Sequence, residues 1–197
     1  KSESIVIPEE ELNYYRHSDY YKPALGGMLN IFRLFILRSV RLLSKGGIFS
    51  EIFPLAFTGD LSIRNLRRHL FDNYQLLFLE AFPERDNPKK RVFETVKMSV
   101  CILTLRRSEP EIPFFVRIHY GRNINELAPK NFLDINMIRT LDPSAFTIPL
   151  TSPSETILLV KLYKEGKRFA HFGKCNTGEI DMTFCKEAFT SNDTYSI

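Results

Sequence analysis

The sequence has 197 residues, of which 44% are hydrophobic, and its 17 Phe and 8 Tyr suffice for a packed core, so intrinsic disorder is not the default expectation. Its 27 basic and 23 acidic residues give a formal net charge of +4, which permits a phosphate-bearing partner without requiring one. The cysteines are odd in number and form no CxxC pair, which favours reduced thiols over a zinc site or a disulfide framework; they are Cys101, Cys175 and Cys185.

We expect no secretory signal at the start of the chain, because its first residues, KSESIVIPEEELNYY, are polar and acidic where an apolar segment would be needed. The most apolar stretch, Met28–Leu43, contains three arginines and is therefore a poor membrane span. We expect a cytoplasmic protein with no membrane segment. Since the chain starts with Lys, we also expect it to be a fragment or a processed product.

The first predicted element is a helix over Met28–Leu43, after an irregular lead-in at residues 1–27. The three arginines of this helix fall within roughly 140° of the helical wheel, which leaves a wide apolar arc for packing against a sheet. Ser44–Gly47 ends the helix, because a glycine just past a helix supplies the left-handed cap. Ile48–Pro54 follows as a strand, with alternating apolar and polar residues at its centre and a closing proline.

A second helix is predicted to begin at Asp60 or Ser62 and to run through Phe71, and its polar side is formed by Arg64, Arg67, Arg68 and His69. Tyr74–Phe82 is predicted to be a largely buried strand, and Val96–Leu105 another. The loop between these two strands is too short to hold a crossover helix, so we expect them to be antiparallel.

The alternation of helices and strands over residues 28–105 predicts an α/β sheet. Beyond Arg107, frequent prolines divide the sequence into short runs, and we expect an irregular α+β segment there. The predicted domains are therefore 1–107 and 108–197.

Other candidate sites are weak. The four histidines lie near no Cys or acidic partner at catalytic or ligand spacing and are interpreted as ordinary polar residues; they are His17, His69, His119 and His171. The arginines of the second helix could contact phosphate, but a solvated helix face is the favoured interpretation. The glycine pairs 26–27 and 46–47 match neither a dinucleotide fingerprint nor a P-loop and are interpreted as turn and cap.

Three consecutive blocks of the sequence have the character of family motifs. The first is Asn30-Ile31-Phe32, then Phe35, then RSVRLLSKGG. The second is GIFSEIFPLAF before a helix with LRRHL, and the third is Arg91-Val92-Phe93-Glu94 followed by VKMSVCILTL. In this order they resemble motifs of adenine-N6 DNA methyltransferases of type II restriction–modification systems. A fourth, GKCNTGEIDMTFCKEAF at Gly173–Phe189, is similar to a segment that opens many target-recognition regions of this family.

The resemblance implies the C-terminal half of a Rossmann-like class I methyltransferase sheet, with an antiparallel final strand pair, followed by the start of a target-recognition region. It implies that Asn30 and Phe35 lie on the side of the methyl donor, S-adenosylmethionine, with Phe35 beside its adenine ring. It also implies that Phe93 stacks on an adenine flipped out of double-stranded DNA. Lys89, Lys90 and Arg91 would contribute positive charge beside that base, and Lys167, Arg168 and Lys174 could contact phosphate.

The family's catalytic motifs are missing from these 197 residues. There is no Phe-x-Gly-x-Gly donor motif and no Asn/Asp-Pro-Pro-Tyr/Phe motif; the nearest strings, at Asp86 and Asp142, lack the second proline. Both motifs precede the first helix in the family's order, so we expect no catalytic residue here, no metal site, and a fragment that is inactive alone.

Two alternatives remain open. The first is a non-catalytic DNA-binding or subunit-interaction module that retains half of a methyltransferase fold. The second is a methyltransferase that acts on RNA or protein, which the recognition-like segment at 169–189 disfavours. We further expect the fragment to expose apolar surface on the helix at 28–43 and to self-associate.

Overall fold

The computed structural model describes residues 8–110, 112–167 and 172–173. Its α-helices are, in chain order, α1 (Glu9–His17), α2 (Ile31–Leu42), α3 (Arg64–Asn73), α4 (Ile135–Leu141) and α5 (Pro153–Glu165). Its strands are β1 (Ile48–Pro54), β2 (Gln75–Phe82), β3 (Val100–Arg106), β4 (Phe114–Ile118) and β5 (Asn131–Leu133). The protein has an α/β fold, and none of the described helices is long and apolar enough to cross a membrane.

The five strands form one mixed sheet in the order β1-β3-β2-β4-β5. β3 lies between β1 and β2 and runs antiparallel to both, so that Cys101 is paired with Phe53 on one side and with Ala81 on the other. β4 is parallel to β2, and β5 is antiparallel to β4. Because β1, β2 and β4 run in the same direction, their carboxyl ends share one side of the sheet, which we call the carboxyl edge.

The elements predicted over residues 28–105 are confirmed in type and order. β1 has the predicted bounds, and β2 and β3 are antiparallel as expected from the short connection. α2 begins after Asn30, whose side-chain oxygen accepts the Phe32 N–H at 3.3 Å, and its wholly buried Leu37 and Val40 belong to the core. β3 begins four residues later than predicted.

The prediction of an irregular lead-in was wrong, whereas the α+β segment expected beyond residue 108 does contain helices and strands. The lead-in contains α1, whose first turn carries three glutamates, where negative charge stabilises the amino end of a helix. Beyond residue 108 the chain forms β4, β5, α4 and α5. The capping box at Ser152 and Glu155, in which each side chain bonds the other residue's N–H, explains why α5 begins after Ser152.

The sheet continues across the predicted boundary at residue 108. Val116 of β4 pairs with Leu79 of β2, and both belong to the same cluster of buried apolar residues. Asn131 in β5 donates to the Thr151 carbonyl at 2.9 Å and to the Thr156 hydroxyl at 2.7 Å, which attaches β5 to the start of α5. The assignment of 1–107 and 108–197 to two functional regions stays a prediction.

Two arginines assigned to polar helix faces are buried instead. Arg33 is 1% exposed, and its guanidinium donates to the carbonyls of Gly26 at 2.7 Å, Ser62 at 2.9 Å and Met28. A Cβ on Gly26, whose φ is +152°, would meet the Ser62 carbonyl oxygen at 2.4 Å. The backbone at residue 26 can therefore lie this close to Ser62, so that both carbonyls accept from Arg33, because residue 26 is glycine. Burial lowers the pKa of Arg33.

Arg67 of α3 is fully buried, so the interpretation of Arg64, Arg67 and Arg68 as one solvated or phosphate-contacting face was wrong for its central member. Its Nε and Nη2 donate to the Ala145 carbonyl at 3.0 and 2.6 Å, and its Nη1 donates to the Phe57 carbonyl at 2.7 Å. Burial lowers its pKa to about 10. Arg67 thus joins α3 to a segment 78 residues away in the sequence.

Candidate functional site

The connection from β2 to β3, residues 83–99, leaves the sheet at the carboxyl edge and is held in shape by its own polar groups. We call it the β2–β3 loop. The Glu84 carboxylate accepts the N–H groups of Asp86 and Asn87 at 2.9 and 3.0 Å. Ser99 donates its hydroxyl to the Pro83 carbonyl at 2.7 Å, which closes the loop at its base.

The four residues assigned to DNA contact lie on this loop. Phe93 is 43% exposed, and Lys89 and Lys90 are also exposed. Arg91 stabilises the conformation of the loop, because its Nε donates to the carbonyls of Phe93 at 3.0 Å and Glu94 at 3.1 Å. The geometry thus leaves an aromatic ring and two ammonium groups accessible to a ligand.

The segment after β4, which the sequence did not indicate, holds the β2–β3 loop in place through Arg122. Arg122 pairs with the Glu94 carboxylate at 2.6 Å and donates to the Lys89 carbonyl at 2.8 Å and to the Pro88 carbonyl at 3.1 Å. The sequence separation of 28 residues between Arg122 and Glu94 leaves no local signal for this contact.

Arg122 follows a buried polar cluster at the carboxyl ends of β2 and β4. Glu80 is 2% exposed, and its carboxylate pairs with Arg117, whose Nε lies 2.9 Å from Oε2, and with His119, whose Nε2 lies 2.7 Å from Oε2. His119 also stacks on Phe82, with ring centroids 4.8 Å apart. The interpretation of His119 as having no acidic partner was wrong.

The charge on Glu80 is stabilised by its partners. Burial acts to raise the pKa of its carboxyl group, but the hydrogen bonds from Arg117 and His119 outweigh burial, and the pKa lies below its ordinary value. A sequence signal for such a cluster did exist: a glutamate inside the apolar run YQLLFLEAF needs a buried partner. The identity of that partner, 39 residues away, was not accessible from the pattern.

We expect Glu80→Gln to weaken the dependence of the unfolding free energy on acid pH. The native pKa of Glu80 is lowered, so its carboxylate stabilises the fold above the unfolded-state pKa, and this contribution is lost as the pH falls through the native pKa. Urea titrations between about pH 7 and about pH 3 measure the effect. Glu109→Gln, at an exposed position, is the control and should keep the acid dependence of the parent chain. An unchanged acid dependence in Glu80→Gln would contradict this account.

The two residues assigned to the donor side lie at the amino end of α2. Phe35 is 60% exposed and lines an open groove of about 570 Å³ with Phe32, Ile52 and other residues of α2 and β1. Phe32 stacks on Phe53 at 6.1 Å between centroids, which places this end of α2 beside the carboxyl end of β1. Asn30 caps α2 through its side-chain oxygen, a structural role that the assignment to donor binding did not include.

The groove lies along an open side of the sheet. Within the described part of the chain, β1 pairs with β3 alone, so its other edge is unpaired. Exposed apolar side chains of α2 and β1 lie near that edge, with exposed fractions of 47% for Ile31, 56% for Ile48 and 43% for Ile52. An unpaired strand beside exposed apolar side chains favours association with another chain.

We therefore expect the 197-residue chain to self-associate through this edge, with a light-scattering mass that rises above the monomer value as concentration increases. Phe35→Glu should restore a monomer, because it places a charge in the groove. Leu127→Glu is the control, since Leu127 is 92% exposed and lies in a loop beyond β4. A clean monomer of the unmodified chain at high concentration would refute the expectation.

Several assigned residues have no described structure. Arg168, Lys174 and the cysteines at 175 and 185 lie outside the described residues, as does the Gly173–Phe189 block apart from Gly173 itself. Cys101 is buried, which raises the pKa of its thiol. The described residues contain no group of three His, Cys, Asp or Glu side chains placed to hold a metal ion.

Comparison with known proteins gives a distant structural similarity. No protein-family model and no curated protein sequence matches the chain. The type IIG restriction endonuclease BpuSI is similar at 18% identity over 60% of this chain and 14% of its own, with a TM-score of 0.47. The M protein of the type I restriction enzyme EcoKI is similar at 11% identity over 79% of this chain and 47% of its own, with a TM-score of 0.45.

The DrdV–DNA complex is similar at 13% identity over 66% of this chain and 15% of the matched chain, with a TM-score of 0.44. The chain thus has structural similarity, at low identity, to enzymes and methyltransferase subunits of restriction–modification systems. It spans less than half the length of each of these three chains. At these identities the similarity concerns the fold.

Proposed function

We propose that this chain is the C-terminal part of the catalytic domain of an S-adenosylmethionine-dependent DNA adenine-N6 methyltransferase of a restriction–modification system, continuing into its target-recognition region. The observation that carries the proposal is the β2–β3 loop, which presents Phe93 at the carboxyl edge, between the exposed lysines and the start of β3. In α/β sheets, ligands bind outside the carboxyl ends of the strands.

In this proposal Phe93 receives the target base. Methylation of the adenine amino group requires the base to leave the duplex stack, and an aromatic ring replaces part of the lost stacking. The exposed ring of Phe93 suits that role, and the ammonium groups of Lys89 and Lys90 can contact the phosphates on either side of the flipped nucleotide. Arg91 contributes by holding the backbone at Phe93 and Glu94.

The donor side is formed by the amino end of α2. S-adenosylmethionine supplies the methyl group from its sulfonium centre. The exposed ring of Phe35 beside the open groove fits an adenine ring by apolar and stacking contact, and the carboxamide NH2 of Asn30 can donate to a polar group of the donor. The 197 residues contain no Asn/Asp-Pro-Pro-Tyr/Phe string, so the proposed chemistry requires a further part of the methyltransferase.

We further propose that the partner of this enzyme is double-stranded DNA and that its compartment is the cytoplasm. Residues from about 108 onward begin the recognition of a specific sequence in double-stranded DNA. Lys167 is exposed at the end of the described range 112–167, where it can contact phosphate. The enzyme would act in the cytoplasm, where a restriction–modification system meets cellular DNA.

A second candidate function, a subunit-interaction module without catalysis, is favoured by one observation. α5 buries only Thr156, while Ile157 is 72% exposed, Leu158 56% and Leu162 57%. Such a helix surface is typical of contacts with another protein segment. α5 is compatible with either candidate, because a methyltransferase subunit can also present an interaction helix.

The coding sequence immediately upstream of Lys1 distinguishes the two candidates. An Asn/Asp-Pro-Pro-Tyr/Phe motif shortly before it, with a glycine-bearing donor motif further upstream, would support the methyltransferase. An initiating Met with neither motif would overturn the methyltransferase proposal and leave the interaction module.

A further inference from the structure

The loop that carries Phe93 is attached to the rest of the protein through a chain of polar contacts that begins in the core. At the buried end, both ring nitrogens of His119 are engaged. Its Nδ1 accepts the N–H of Asn125 at 3.0 Å and so carries no proton, which leaves the ring hydrogen on Nε2 for donation to Glu80. These two bonds fix the turn of residues 119–125 against β2.

Arg117 reinforces the same turn. Its guanidinium pairs with both oxygens of Glu80, and its Nη1 donates to the Glu126 carbonyl at 3.5 Å. Arg117 of β4 and His119, the first residue after β4, therefore hold the same carboxylate of β2 and also bond two points of the following segment, Glu126 and Asn125. A buried carboxylate with several donors resists rearrangement, because leaving any of these groups unpaired is costly.

Arg122 projects from this fixed turn to the β2–β3 loop. Its guanidinium pairs with the Glu94 carboxylate at 2.6 Å, while Nε and Nη2 both donate to the Lys89 carbonyl, at 3.1 and 2.8 Å. The planar guanidinium fixes direction as well as distance when several of its donors are used. Lys89 and Glu94 stand on either side of Phe93 in the loop.

We infer that Arg122 is a positioning residue that sets the orientation of Phe93, with the buried Glu80–His119 pair as its anchor. The inference rests on the proposed function of Phe93 as the acceptor of the flipped base and deepens it. Arg122 restrains Glu94, and Arg91 holds the carbonyls of Phe93 and Glu94, so the aromatic ring is presented without having to be ordered when DNA binds.

The experiment uses Phe93→Trp as a reporter, because the chain contains no tryptophan and the new side chain would be its single indole. In this background Arg122→Ala is compared with Arg139→Ala. Arg139 is a matched control, since it also forms a partly exposed ion pair at 2.6 Å, with Asp72 on α3. Indole anisotropy and peptide-level amide hydrogen exchange report the loop, and urea unfolding reports global stability.

Arg122→Ala should lower the indole anisotropy and accelerate exchange of residues 85–94 by roughly tenfold, while Arg139→Ala changes neither. His119→Ala should accelerate exchange in residues 120–127 and in 85–94 alike. Unchanged anisotropy and exchange in Arg122→Ala would overturn the role of Arg122. If His119→Ala accelerates exchange only in residues 120–127, the role of the Glu80–His119 pair as the anchor of Arg122 is overturned.

Should Arg122→Ala fail to fold, Glu94→Gln is tested instead. It should lower the anisotropy and accelerate exchange in the same direction but to a smaller extent, because it removes only the negative charge of the Arg122–Glu94 ion pair. None of these readouts requires DNA or methyl donor. The inference can therefore fail while the methyltransferase proposal stands, and the converse also holds.

Discussion

Replacing Arg67 by Ala is expected to lower the free energy of unfolding by about 3–5 kcal/mol, measured by urea denaturation. The side chain is fully buried and satisfies the carbonyls of Phe57 and Ala145. Each buried carbonyl left without a donor costs about 1–3 kcal/mol, and the cavity left by the side chain adds to the loss. Small domains are typically stable by about 5–15 kcal/mol, so this single contact decides much of the stability.

Arg64→Ala on the same helix is the control for this prediction. Arg64 is exposed, so its replacement should change the unfolding free energy by no more than about 0.5 kcal/mol. Arg67→Met, which retains much of the volume, separates the lost hydrogen bonds from the cavity and should lie between the two. Equal losses in Arg64→Ala and Arg67→Ala would show that the buried contacts do not carry the predicted energy.

Phe93→Ala in the complete methyltransferase is expected to reduce the specificity constant for DNA methylation by about 5- to 150-fold, which corresponds to about 1–3 kcal/mol of lost base stacking. Affinity for S-adenosylmethionine should stay nearly unchanged, because Phe93 is on the β2–β3 loop while the proposed donor residues are on α2. Initial rates of methyl transfer and equilibrium dialysis with the donor measure the two effects separately.

Phe93→Tyr, which retains an aromatic face, should keep most of the activity. Phe132→Ala is a matched control, since Phe132 is a more exposed phenylalanine, at 61%, on the distant edge strand β5. Methylation at the normal rate by Phe93→Ala would refute the role assigned to this residue.

Local pattern sufficed for the part of the fold in which neighbours in sequence are neighbours in space. The bounds of β1 followed from alternating residues and a closing proline, and the antiparallel pairing of β2 with β3 followed from the length of their connection. The cap of α2 at Asn30 lies two residues inside the predicted start.

Long-range contacts account for what the pattern did not predict. A helical wheel places Arg33 and Arg67 on polar helix faces. The structure instead supplies carbonyl acceptors from distant parts of the chain, namely Ser62 for Arg33, 29 residues away, and Ala145 for Arg67, 78 residues away. The individual strands β4 and β5 were not predicted, because they have only five and three residues and because β4 joins the sheet by parallel pairing with β2, a strand distant in the sequence.

The candidate site likewise contains residues that the sequence identified and contacts that it could not identify. The residues assigned by resemblance, Phe35 and Phe93, are both substantially exposed, as a ligand contact requires, and their roles stay predictions. The contacts that hold Phe93 in place were inaccessible to sequence reasoning, because Arg122 and Glu80 meet their partners only through the fold.

The most direct test of the proposal is the N6-methyladenine content of DNA from a methylation-deficient bacterial host that expresses the complete reading frame containing this chain. We predict that N6-methyladenine appears at a defined sequence and that it falls with Phe93→Ala but not with Phe132→Ala. An expressed, folded protein that leaves the DNA free of N6-methyladenine would contradict the assignment to adenine methylation.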